Sequence, residues 1–155
     1  MKPLYFIFTT AIFTASLAAA DAGPLRPMAP SKGPHPTTEQ LLNLSKPQWI
    51  TFQDNQETQT IYFNGLLPFS CALKNVYYGL NGEEPKTRFP LPECNKEKAI
   101  SINSEKDTLF LSKKPGEVTS VKVMVEYADG KKTPVLTYTP CAKAKSKGVC
   151  GQLVK

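Results

Sequence analysis

The chain carries one histidine, His35, and two arginines, Arg26 and Arg88, in 155 residues. One histidine removes every site that needs two. It also weakens the case for a serine or cysteine nucleophile, which normally needs an imidazole base held in place. His35 lies in a proline-rich stretch, a poor mount for such a base. A P-loop, a Gly-rich dinucleotide fingerprint and an H-E-x-x-H helix are all missing. The scarcity of arginine argues against nucleic acid, since there is no Arg-rich helix and no aromatic–basic strand motif. The four cysteines are separated by 22, 46 and 8 intervening residues, and none of these is the close pair that structural zinc prefers. No metal and no cofactor is therefore expected. Nor is there a long hydrophobic run beyond the N-terminal segment, so the sequence predicts no transmembrane segment in the mature form.

What is present begins with an export signal. Met1-Lys2 supplies a positive start, Leu4 to Leu17 contains no charge, and Ala18 and Ala20 give the small-x-small spacing of a cleavage site before Asp21. Residues 1–20 are read as a signal peptide, with a secreted or periplasmic destination. In such a compartment disulfides form and persist. The formal net charge of +6 falls only by Lys2 on cleavage.

Residues 21–47 are read as a Pro-rich linker with a short helix near its end. Pro24, Pro27, Pro30, Pro34 and Pro36 block helix and remove backbone donors, which favours an extended spacer of polyproline character. Thr38–Leu44 has the start of a helix, with Thr37 or Thr38 as N-cap and Pro47 as the stop. Asn43-Leu44-Ser45 is a glycosylation sequon, with meaning only in a eukaryotic secretory path.

Beyond Pro47 helical periodicity vanishes. Short runs rich in Val, Ile, Tyr, Phe and Thr follow one another between turn residues. The expected strands are Gln48–Gln53, Thr58–Phe63, Cys71–Tyr78, Thr87–Leu91, Ala99–Asn103, Thr108–Ser112, Thr119–Tyr127 and Pro134–Thr139. Asn81-Gly82 suits a type I′ turn, and Pro115-Gly116 and Asp129-Gly130 mark two further turns. Thr119–Tyr127 alternates most cleanly, with Val121, Val123, Val125 and Tyr127 on one face and Lys122, Met124 and Glu126 on the other. The expected fold is all-β, an antiparallel sandwich of immunoglobulin-like class with about seven strands over residues 48–141. Residues 142–155 are read as a basic C-terminal tail.

Four cysteines allow three pairings. The local pairing, Cys71–Cys94 and Cys141–Cys150, needs the least rearrangement; Cys71–Cys141 is its rival. Within the second loop Lys143, Lys145 and Lys147 form a candidate anion-binding group, against the simpler reading of a solvated tail.

Paired carboxylates are the remaining route to catalysis, since glycoside hydrolysis needs only two. Asp54, Glu57, Glu83, Glu84, Glu93, Glu126 and Asp129 fall at turns or on strand faces expected to be wet, where charge belongs anyway. The aromatic residues Tyr62, Tyr77, Tyr78, Phe89 and Phe110 alternate through the strands, so some must point outward; exposed aromatics can stack on sugars or anchor a partner, and packing under a loop or in a cross-strand pair explains them as well. The sequence thus predicts a non-catalytic binding or scaffolding domain, not an enzyme. Its expected partner is a protein or an acidic polymer or glycan at the envelope or outside the cell. An inhibitor of a secreted hydrolase is the alternative, aimed at an acidic target because the chain is basic. A carboxylate-pair glycan hydrolase ranks third.

Overall fold

A computed structural model describes residues 36–95, 102–142, 144 and 148–154. The signal segment 1–20, most of the Pro-rich stretch, and Lys143, Lys145 and Lys147 lie outside the described residues.

The described chain opens with a helix, α1 (Thr38–Leu44). Thr37 caps it: its hydroxyl accepts from the Gln40 N–H, and the Gln40 side chain accepts from the Thr37 N–H. This reciprocal capping box satisfies two orphan donors and sets the first turn. One short 3₁₀ turn, Lys46–Gln48, leads on to Trp49.

Among the described residues eight strands then form two antiparallel sheets. In chain order they are β1 (Thr51–Asp54), β2 (Gln59–Tyr62), β3 (Leu73–Leu80), β4 (Thr87–Phe89), β5 (Phe110–Lys113), β6 (Val121–Tyr127), β7 (Leu136–Pro140) and β8 (Gly151–Val154). One sheet has the order β1-β2-β5, the other β4-β3-β6-β7-β8. Written with immunoglobulin letters, these are A-B-E and C′-C-F-G, with an eighth strand added beyond G. The fold is therefore the all-β sandwich expected from the alternation, with immunoglobulin-like strand order. It departs from antibody domains in its staples, because neither disulfide links β2 to β6.

Two turns have the conformations their residues favour. Asn81 and Gly82 both take positive φ, 53° and 90°, and Glu83 N–H closes the turn on Leu80 C=O, as a type I′ turn requires. Lys114-Pro115-Gly116-Glu117 closes from Glu117 N–H to Lys114 C=O with Gly116 at φ 70°, the type II arrangement.

The core is formed by the inward faces. Phe52, Ile61, Phe63, Val76, Phe89, Val121, Val123, Val125 and Tyr138 are all essentially inaccessible. Phe63 and Phe89 stack at 3.8 Å between centroids, with Tyr78 edge-on to both. Three large polar side chains inside the core are matched, whereas one buried oxygen each of Asp54 and Asn75 has no hydrogen-bond partner among the described residues. The Tyr138 hydroxyl donates to Lys46 C=O and the Trp49 indole N–H to Leu42 C=O. Gln59, 1 % exposed, uses its amide to exchange two hydrogen bonds with the Val118 backbone, as a strand neighbour would. Such satisfaction is required, since an unmatched buried polar group costs about 1–3 kcal/mol.

The structure extends the folded unit at both ends of the expected span 48–141. Leu42 is fully buried, so α1 belongs to the core and is not part of a spacer. Gly151–Val154 pairs with β7 through Thr137↔Val154 and Tyr138↔Leu153, so part of the supposed tail is an edge strand. The sequence hid it because four residues with one Gly and one Gln show little alternation. Elsewhere strands start later than expected. Leu67–Ala72 is a 3₁₀ turn, so β3 begins at Leu73 and not at Cys71. Ile102 and Asn103 lie in no strand, and the rest of the run expected at Ala99–Asn103 is outside the described residues.

Candidate functional site

The short strand β4 ends at Phe89 because Pro90 cannot donate to a ladder. The chain then runs through Pro90, Leu91 and Pro92 to Cys94, which is bonded to Cys71 in the 3₁₀ turn before β3. That disulfide fixes the distance between the two segments flanking the β3–β4 pair. Between them lies a groove of about 550 Å³. Leu73 and Phe89 form its apolar floor, with Leu91 and Pro92 along one wall. Ser70 supplies a hydroxyl at its side, and Lys74 and Arg88 stand at its mouth.

Lys74 is held in place from below. A bulge between Leu73 and Asn75 turns Lys74 to the outer side of the sheet, toward β6. There its ammonium pairs with Glu126 at 2.9 Å. Glu126 also accepts from the Asn75 amide at 2.9 Å and, more weakly, from the Tyr77 hydroxyl at 3.5 Å. The hydrogen bonds from Asn75 and then Lys74 bring the Glu126 carboxyl down to about 2, and the same contact raises Lys74. Arg88 is exposed and makes no ion pair among the described residues. It sits across from Tyr77 in the β3–β4 register.

Other carboxylates are likewise held in their charged form. Glu84 lies below its usual range because of its hydrogen bond with Lys122, and Asp129 because of Lys131. Among the described residues no three His, Cys, Asp or Glu side chains gather as metal ligands. Among the same residues no helix is long and apolar enough to cross a membrane.

Cys71 pairs with Cys94 and Cys141 with Cys150, so the chain is a small β-domain stapled by two disulfides. Cys150 also bridges to Phe52 through two backbone hydrogen bonds of 2.9 and 3.0 Å, which ties β1 to the segment leading into β8. Lys143, Lys145 and Lys147, the candidate anion-binding group, lie outside the described residues. Of the aromatic residues, Phe89 and Tyr78 turn inward, while Tyr62, Tyr77 and Phe110 lie on outer faces. The pairing of Lys74 with Glu126 was not anticipated. Period-2 alternation places Glu126 on the outer face and carries no signal of the bulge that brings Lys74 to it.

Comparison with family models, with curated proteins and with solved structures finds no match to this chain.

Proposed function

We propose that this chain is an exported, non-catalytic binding domain that holds an acidic partner, protein or polymer, in the β3–β4 groove. One observation carries the reading: a concave apolar floor with two cations at its mouth, braced by the Cys71–Cys94 disulfide. An anionic group meets Arg88 and Lys74 there, and the flanking parts of the partner cover the exposed Pro90 and half-buried Leu91. Lys74 is already oriented by Glu126, so it loses little side-chain freedom on binding. The carboxylates support the non-catalytic half of the reading. A glycosidase acid needs its pKa raised, and Glu126, Glu84 and Asp129 are all pushed down. The sequence signal at 1–20 and the two disulfides support export to an oxidising compartment.

Polyglutamate and polygalacturonate are suitable probes. Binding is expected at low salt, and to weaken steeply toward physiological salt, where screening acts over ~8 Å. Arg88→Glu changes two units of exposed charge, each worth ~0.2–1 kcal/mol, and should reduce affinity about fivefold. Equal binding by wild type and Arg88→Glu would remove the groove from consideration.

A further inference from the structure

The outer face of the three-stranded sheet has a different chemistry. Strand register sets its side chains in two rows, Thr51, Tyr62 and Phe110 in one and Gln53, Thr60 and Ser112 in the other. The inward partners between them, Phe52, Gln59 and Ile61, are buried, which assigns the six to the outside. None of the six is charged, although 21% of the chain is Asp, Glu, Lys or Arg. Phe110 is 46% exposed on an edge strand. Tyr62 packs edge-on against it with centroids 5.8 Å apart, and the Tyr62 hydroxyl is held at 2.9 Å by Gln53 Oε1. The aromatic pair is therefore a fixed platform ringed by hydroxyl and amide groups.

A second observation lies at one end of that platform. A cleft of about 480 Å³ opens beside Thr51, which belongs to both surfaces. Gln48 and Asn64 supply amides to its lining and Val149, half exposed, an apolar patch. Thr51 ends the cross-strand row of Phe110, Tyr62 and Thr51 on β1, so the cleft adjoins the end of the row away from Phe110. Among the described residues no charged side chain lines it.

We infer that this face and its cleft form a second binding site, distinct from the cationic groove, for a neutral saccharide chain. A pyranose presents C–H groups on one face, which match the negative face of an aromatic ring, and hydroxyls around its rim, which match Thr, Ser, Gln and Asn. Charge complementarity selects the occupant. An anionic or cationic polymer would leave its charges unpaired against this surface, whereas a neutral sugar loses no ion solvation by docking. Phe110 stacks one residue of the chain and the cleft receives the next part of it.

The test is co-sedimentation of the disulfide-bonded chain with microcrystalline cellulose, with chitin and with curdlan, in ~0.5 M NaCl, where charge attraction is screened within a few ångströms. Retention on at least one matrix is expected, and it should be the same at low salt. Phe110→Ala should weaken that retention about tenfold, the scale of losing one stacked aromatic anchor. Tyr62→Ala should also weaken it, Phe110→Tyr should preserve it, and melting curves establish that each variant is folded. Arg88→Glu should leave it unchanged, which separates failure of this site from failure of the groove. Retention on none of the three matrices, retention only at low salt, or equal retention of wild type and both alanine variants would overturn the inference.

Discussion

Glu126 stands on the outer side of β6 and is nonetheless only 7 % exposed. Lys74, Asn75 and Tyr77 from β3 close over it, so a position expected to be wet became a small polar core of its own. Its carboxyl is depressed to about 2 from an ordinary 4.5, first by the Asn75 amide and then by Lys74. A depressed folded-state pKa means the folded state binds the proton less readily than the unfolded chain. The stabilisation is thus complete above 4.5 and is lost as pH falls through the folded value near 2. Glu126→Gln should melt below wild type at neutral pH. The gap between the two should narrow progressively as pH falls from 4.5 toward 2. Thermal melts across that range read it directly, and a gap independent of pH would mean the carboxylate is not held ionised by its neighbours.

At the scale of the element, β8 shows how close approach dictates residue type. A Cβ on Gly151 would collide with the Ile50 carbonyl oxygen and come within 3.1–3.2 Å of the atoms beside it. The glycine is there to let the last strand lie against the chain entering β1. Beside it, Phe52 and Cys150 exchange backbone hydrogen bonds. Gly151→Ala must therefore shift backbone and not merely a side chain. It should cost about 1–3 kcal/mol. Amide exchange should quicken in Gly151–Val154 and at Phe52 before it does in β3 or β6. Unchanged protection at Phe52 would show that β8 and β1 are not coupled. This strand also marks the limit of reading the sequence. Val121–Tyr127 could be assigned from alternation because Val121, Val123 and Val125 all face the core. Asn81-Gly82 could be assigned because few residues tolerate two consecutive positive φ angles. Gly151–Val154 is an edge strand with one face half wet, so its composition is weakly constrained and looks like a tail. The site was still less legible. Lys74 and Arg88 are 14 residues apart in the chain and line one groove only because β3 and β4 pair, while Cys94 must be bonded to Cys71 before the groove has two sides.

The whole molecule places its two disulfides at different tasks. Cys71–Cys94 spans 23 positions around the β3–β4 groove, whereas Cys141–Cys150 spans 9 and anchors the approach to β8. Chain-entropy estimates give roughly 3.4 kcal/mol for the longer loop and about 2.7 kcal/mol for the shorter. Either is a large part of a total stability of ~5–15 kcal/mol. Loss of stability alone thus cannot tell the two apart, but function can. Replacing Cys71 and Cys94 together by Ser frees the Pro90–Pro92 wall from the turn before β3. The groove then has to be ordered by its ligand, and affinity for an acidic probe should fall even at a temperature where the variant is fully folded. Replacing Cys141 and Cys150 together leaves that wall untouched and frees the residues leading into β8. Its melting temperature should drop, with a loss of protection at Phe52, while binding of the acidic probe by the groove persists. The measurement is a paired one: melting curves to fix a temperature at which both variants are folded, then binding of polyglutamate by each at that temperature. Equal loss of binding in the two variants would mean that the Cys71–Cys94 bond stabilises the domain in general and does not shape the groove.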